Sequence, residues 1–278
     1  MEQPALYDHP ALGVACFRPR PGATLPVTDA GRPVDLSLPD GTPVGGYWLA
    51  VGGVGPALLF LHDADEIIAD HVERWSRWGR ELGLNVLLLD WPGFASSGGS
   101  PGLGACRAAA RAALEFLLAR DPAEVPQVLV YGRGLGSVFA CESVRGERSP
   151  RLRGLVLESG VADLADWVAE RVPWEQTHVR REDVMEELDA ALSADFRVRA
   201  TLEELDLPVL VLHGLGDARL PLDRNGERLA FWAGTVPCVL PEGDHESLLD
   251  ANANKLCAAL RAFVAKACPR DGESGGGP

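Results

Sequence analysis

The 278-residue sequence predicts an α/β fold, a mostly parallel central sheet with helices on both faces and a small helical cap. Three observations carry this expectation. Short, continuous apolar runs such as 57–61 and 85–89 have the composition of strands buried on both faces. Segments between them place apolar residues at helical spacing. The two patterns alternate along the chain, as they do when crossover helices join parallel strands.

Residues 1–43 are rich in Pro and Gly, with one apolar stretch at 12–17 and an alternating run at 34–38, and are expected to form an extended arm. Strands follow at 46–51 and 57–61. Val72, Trp75, Trp78 and Leu82 mark a helix over 70–82, and 85–89 is the next strand. The unit then repeats with an Ala-rich helix at 105–118, a strand at 127–131, a helix at 136–144 and a strand at 152–157. From 162 to 206 the strands stop. Two helical patterns occupy this stretch, at Leu164, Trp167, Val168 and Val172 and at Val184, Leu188, Ala191 and Leu192, so about 160–206 is expected to be a cap inserted into the repeat. A strand at 208–212, a helix at 224–233, a last strand at 236–240 and a closing helix at 247–264 complete the series. A single domain over 1–268 follows, since α/β units often run to about 250 residues. The glycine-rich tail at 269–278 is expected to be disordered.

Composition narrows the function classes. Lys plus Arg number 26 and Asp plus Glu 40, a net charge of −14, which excludes nucleic-acid binding by bulk charge. No apolar run approaches the roughly 18 residues needed to span a bilayer. The N-terminus lacks a basic segment followed by an apolar one, and the six cysteines (Cys16, Cys106, Cys141, Cys238, Cys257, Cys268) form no C-x-x-C pair; both point to the cytoplasm.

In open parallel sheets ligands sit at the carboxyl ends of the strands, so the residues leaving each strand are the candidates for chemistry. Five exits stand out: His62-Asp63-Ala64-Asp65-Glu66, Asp90-Trp91-Pro92-Gly93, Gly132-Arg133-Gly134-Leu135-Gly136, His213-Gly214-Leu215-Gly216-Asp217 and Gly243-Asp244-His245-Glu246. In this order, with Tyr7, Phe17, Pro19 and Arg20 upstream, they resemble the α/β-hydrolase superfamily over residues 7–266. The likeness is to its serine hydrolases of the serine-aminopeptidase-like and acyl-protein-thioesterase-like branch. That resemblance implies a G-x-S-x-G elbow presenting a serine at the top of the sheet, followed by an acid and then a histidine. Asp217 matches the acid and His245 the base. The amides of Ala64 and Leu135 match the oxyanion donors.

The sequence departs from the pattern at its centre. The nucleophile position is Gly134, which tolerates elbow geometry but carries no hydroxyl. Ser137, three residues on, lies inside the following helix and is expected to serve packing or helix-end hydrogen bonding. The family's His-Gly-x-Gly oxyanion loop here carries Asp63 and Asp65 in place of glycines. A carboxylate about 5 Å from an oxyanion opposes it by roughly 3 kcal/mol at an effective dielectric of about 20. The expectation is a serine ester, thioester or amide hydrolase scaffold without efficient catalysis.

Other readings share some of these residues. An active hydrolase of the family with glycine substituted at 134 fits the elbow, although the altered oxyanion loop weighs against it. Gly132, Gly134 and Gly136 with the later Glu158 match part of a dinucleotide fingerprint, but Ser137 stands where the third glycine should be. His62, Asp63, Asp65 and Glu66 lack a recognised metal-ligand spacing, so neither a metal nor a cofactor is expected. His62, Asp63, Asp65, Trp167 and Trp174 are the candidates to line a pocket for a small-molecule or acyl ligand. Nine acids against two arginines over 182–206 describe a solvated face that would disfavour anions.

Overall fold

The computed structural model describes residues 5–26, 28–176 and 180–269. A short 3₁₀ turn and helix α1 (Pro10–Cys16) lead into strands β1 (Gly31–Ser37), β2 (Pro43–Leu49) and β3 (Ala57–Leu61). Helix α2 (Val72–Leu82), β4 (Asn85–Leu89), α3 (Leu103–Leu118), β5 (Val128–Arg133), α4 (Gly136–Val144) and β6 (Leu152–Glu158) follow. Helices α5 (Leu164–Arg171), α6 (Arg181–Asp195) and α7 (Val198–Glu204) separate β6 from β7 (Val209–Gly214). The chain ends with α8 (Gly226–Trp232), β8 (Cys238–Leu240), α9 (Leu248–Ala251) and α10 (Ala253–Ala267).

The eight strands form one sheet in the order β1-β2-β4-β3-β5-β6-β7-β8. The pairings of β1 with β2 and β2 with β4 are antiparallel, and the rest are parallel. Alternate side chains of each central strand feed the two cores. Leu59, Leu61, Val130 and Leu157 pack beneath α3, α4 and α5, while Leu58, Phe60, Tyr131 and Val156 pack against α2 and α10. The described cysteines are all free. Among the described residues no helix is long and apolar enough to cross a membrane.

The N-terminal arm is not simply extended. Residues 12–17 fall largely within α1, with Pro10 at its first turn, where a missing N–H costs nothing, and the His9 side chain accepting from the Ala11 amide at 3.2 Å. The alternating run becomes β1, on the antiparallel edge of the sheet. The closing helix is two helices, divided at Asn252, whose amide group donates to the carbonyls of Glu242 and Leu248. Of the tail at 269–278, all but Pro269 lies outside the described residues.

One feature of the strand order positions the site. From β3 the chain moves outward to β4, then returns past β3 to β5, so β3 and β5 are neighbours whose crossovers depart in opposite directions. Their carboxyl ends frame the crevice where open α/β sheets bind ligands. Leu61 pairs with Gly132, so Asp63 and Gly134, each two residues further on, leave the sheet side by side. The contact there is backbone to backbone: a Cβ on Gly136 would fall within 3.0 Å of the Leu61 and His62 carbonyl oxygens. Gly136→Ala should therefore lower the unfolding free energy by about 1–3 kcal/mol, measured by urea denaturation, because neither backbone can yield to the added methyl.

Candidate active site

Gly134 has φ of 53°, the left-handed conformation of a strand-to-helix elbow, and its amide donates to the Glu158 carbonyl at 3.0 Å. Asp63, leaving β3, lies directly against it. A Cβ built on Gly134 would coincide with the Asp63 carboxyl group, inside 3.0 Å of its carbon and both oxygens. The carboxylate thus fills the volume that a side chain at the elbow would need.

Its two oxygens have separate partners. Oδ1 accepts from the Leu135 amide at 2.7 Å, and Oδ2 lies 3.0 Å from His245 Nε2. His245, beyond β8, places Nδ1 2.7 Å from Asp217 Oδ2, and Asp217 Oδ1 accepts from the Leu220 amide at 2.9 Å. Asp63, His245 and Asp217 are only 1%, 2% and 3% exposed, so this carboxylate–imidazole–carboxylate chain lies away from water. Burial opposes charge on all three, but the mutual attraction wins. The hydrogen bonds it donates to Asp217 and Asp63 raise His245 to about 9, pairing with His245 lowers Asp63 to about 2, and Asp217 is lowered as well. His245 is an imidazolium at neutral pH.

A second ionic layer lies beneath. Arg133, 1% exposed, donates Nε to Glu66 at 2.7 Å, Nη1 to Glu158 at 2.5 Å and Nη2 to the His245 carbonyl at 2.7 Å. Tyr131 donates to the other Glu158 oxygen at 2.5 Å, and Glu66 in turn accepts from the Asp63 amide at 3.0 Å and faces His71 Nε2 at 3.2 Å. Burial opposes these charges too, yet the carboxylates hold the Arg133 pKa well above its ordinary value, and Arg133 holds Glu66 well below its own. Sequence reasoning assigned no role to Tyr131 or Arg133. The signal was present, since Arg133 closes an otherwise uncharged run of strand residues and a wholly buried guanidinium needs carboxylates.

The structure brings Gly134, Asp63, Leu135, Asp217 and His245 together and places the other candidates elsewhere. Asp65, expected beside the oxyanion position, turns outward to Arg219 Nη2 at 3.1 Å; Arg219 also grips Glu246. His62 faces inward, its Nδ1 2.7 Å from the Asp63 carbonyl and its Nε2 3.5 Å from Asp90. Ala64 is buried beside the loop, its carbonyl accepting from the Arg18 amide at 3.0 Å. Ser137 donates to the Gly134 carbonyl at 2.7 Å and accepts from the Val161 amide at 2.9 Å, which commits its hydroxyl to backbone groups. Trp167 is core, lying under the Arg171 guanidinium 3.6 Å from its ring centre, and the Trp174 indole donates to the Ala169 carbonyl at 2.8 Å.

The alternative chemistries find little support in this arrangement. Glu158 is spent on Arg133 and Tyr131, and Gly132 and Gly136 are pressed against backbone, so the glycine run offers no open cradle for a pyrophosphate. The four residues weighed as metal ligands face four different partners. Among the described residues no cluster of three or more His, Cys, Asp or Glu could hold a metal.

A mostly parallel sheet whose strand exits bring an elbow, an acid and a histidine together is the architecture of the α/β hydrolases. No family model matches the chain. It is 32% identical over 183 residues to an uncharacterized protein of Mycobacterium tuberculosis, covering 62% of this chain and 59% of that one. It is 26% identical over 170 residues to the α/β hydrolase domain-containing protein WAV2 of Arabidopsis thaliana, covering 60% and 54%. The chain therefore aligns with little more than half the length of these relatives. The solved structure of the Pyrococcus furiosus esterase Pf2001 superposes with a TM-score of 0.68 over 90% of this chain and 97% of that one, a likeness of fold at 14% identity. The chain has the fold of the α/β-hydrolase superfamily.

The ionic chain predicts a pH dependence. Because folding raises the His245 pKa, that contribution to stability is complete below the ordinary imidazole value of 6.5 and is lost as the pH rises through about 9. Because folding lowers the Asp63 pKa, its contribution is complete above the ordinary carboxyl range and is lost as the pH falls through about 2. The His245 ring-proton resonance should titrate near 9, and the melting temperature should fall between pH 6.5 and 9. In Asp63→Asn both the midpoint and the size of that fall should decrease.

Proposed function

We propose that this chain is a non-hydrolysing member of its superfamily, in which an internal carboxylate occupies the place where a serine hydrolase does its chemistry. One observation carries the reading: the Asp63 carboxyl group coincides with the side-chain volume of position 134 while taking up both the Leu135 amide and His245 Nε2.

Serine hydrolysis requires a hydroxyl at the elbow, a neutral imidazole to take its proton and free amides to receive the developing oxyanion. Gly134 supplies no hydroxyl. His245, paired on both nitrogens and cationic, has no lone pair to offer, and the Leu135 amide already binds an anion. In a serine protease, loss of the nucleophile alone costs about 10⁶ in turnover number, and here the base and one oxyanion donor are engaged as well. Asp63 opposes catalysis by occupying the site, a stronger block than the through-space repulsion expected from its sequence position. The ordered polar chain supports the natural glycine over a glycine substituted into an active enzyme, since Gly134 and Asp63 fit each other sterically. The same proposal treats 1–268 as one α/β-hydrolase domain with 160–206 as its cap. It also places the protein in the cytoplasm, in keeping with the free cysteines.

The purified protein should not react with fluorophosphonate probes and should give no burst with activated short-chain esters. Gly134→Ser alone should remain inactive and lose about 1–3 kcal/mol of stability from overpacking against Asp63. Gly134→Ser combined with Asp63→Gly should recover stability relative to either single change, because a serine hydroxyl then meets His245 in the vacated volume. It should also exceed Gly134→Ser in ester turnover by on the order of a hundredfold, the worth of one oxyanion donor. Stoichiometric labelling of the unmodified protein, or strong turnover from Gly134→Ser alone, would refute the blocked elbow.

A further inference from the structure

An open cleft of about 1430 Å³ reaches Asp65 of the loop after β3 and is bounded by α1, the chain leaving β1, the start of α3 and the end of α5. This exceeds the 300–1,000 Å³ of a typical drug-sized pocket. Its walls are mainly apolar, with Leu12, Phe17, Leu38, Ala105, Ala108 and Val172 facing it. Ala105 and Ala108, three apart on α3, present methyl groups where longer side chains would close the space. None of the nine acids of 182–206 lines it.

Three arginines reach this cleft, and they differ in how their charge is met. Arg20 pairs with Asp70. Among the described residues neither Arg18 nor Arg171 makes an ion pair. Arg18 spends Nη1 on the carbonyls of Val14, Ala15 and Phe17 at the end of α1, which fixes the guanidinium while leaving Nε and Nη2 available. Arg171 is stacked on Trp167 and gives Nη1 to the Trp167 carbonyl at 3.2 Å, so its plane is set before any ligand arrives. Burial, with repulsion from Arg219, lowers its pKa despite the attraction of the Asp63 and Asp65 carboxylates. The acids on the lining are already engaged: Asp8 accepts from the Gly104 amide, Asp40 from the Thr42 amide, and Asp65 faces Arg219.

We propose that this cleft binds a long-chain monocarboxylate, its head on Arg18 and Arg171 and its tail along the apolar wall between α1 and α3. Planar guanidinium edges match a carboxylate. Three carboxylates on the same lining disfavour the second charge of a phosphate monoester. A molecule of this class needs no hydrolysis to be held, and in that respect the assignment rests on the non-hydrolytic reading above.

The test is isothermal titration of the full chain with dodecanoate, dodecanol and butyrate. Dodecanoate should bind one to one and at least tenfold more tightly than dodecanol, the worth of a charge-assisted pair. Affinity should rise about threefold to fourfold for each methylene added up to dodecanoate, and butyrate should not bind measurably. The double variant Arg18→Gln, Arg171→Gln should bring dodecanoate down to the affinity of dodecanol and leave dodecanol unchanged. Ala105→Trp should abolish both, with circular dichroism and melting temperature confirming that each variant is folded. Equal affinity for dodecanoate and dodecanol in the unmodified chain, or dodecanoate binding insensitive to both variants, would overturn the assignment, as would no binding at all. Binding is read here without turnover, so failure of the ligand and failure of the blocked elbow, read by probe labelling, are separate results.

Discussion

The Asp63 carboxylate is the group on which the arrangement of this site depends. It leaves β3 next to the elbow that leaves β5, and two constraints meet on it. Its volume requires that position 134 have no side chain, and its charge requires donors on both oxygens. A buried carboxylate without partners would cost several kcal/mol, so the Leu135 amide and His245 are conditions of its presence. Glycine at 134 and aspartate at 63 are therefore one structural decision.

The consequences run outward from that pair. An imidazolium is needed to balance Asp63, and Asp217 stabilises the imidazolium on its other nitrogen. Two carboxylates against one cation still leave a negative surplus in a region shielded from water, and Arg133 lies directly beneath, linked to His245 through its carbonyl. Arg133 in turn draws in Glu66 and Glu158, and Tyr131 completes the hydrogen bonding of Glu158. Networks of this kind are unforgiving of partial change, because removal of one member strands another charge without solvent.

Much of the architecture was legible because the sheet is buried on both faces. Strands 57–61 and 85–89 and helix 136–144 are bounded as their apolar patterns indicate, and four of the five strand exits, all but 90–93, converge on Asp63, Gly134, Asp217 and His245 because parallel topology gathers the carboxyl ends of the strands. Helix α1 was missed because Pro10 and Gly13 mark a break in sequence, although Pro10 at the first turn is compatible with a helix. The division at Asn252 depends on a tertiary hydrogen bond to Glu242, which no local periodicity encodes. At the site, the sequence placed Asp63 and Asp65 alike in the loop after β3. Only the fold separates them, turning one into the elbow and the other outward to Arg219. Side-chain direction in an irregular loop follows from its neighbours, and two of those, Gly134 and His245, are 71 and 182 residues away along the chain.

The geometry also accounts for an otherwise puzzling survival. On the non-hydrolysing reading proposed above, Asp217 and His245 have no serine proton to relay, and catalysis gives no reason to keep them. In this fold the same two residues hold Asp63. The imidazolium that appears only transiently in a serine hydrolase is here the resting state, stabilised by a permanent anion instead of a passing transition state. Preorganised polarity that favours charge at one point is indifferent to whether that charge comes from substrate or from the protein's own side chain. On that reading a single carboxylate of suitable reach satisfies the field of the elbow, and Asp217 and His245 contribute to stability through the same geometry by which a serine hydrolase uses an acid and a histidine.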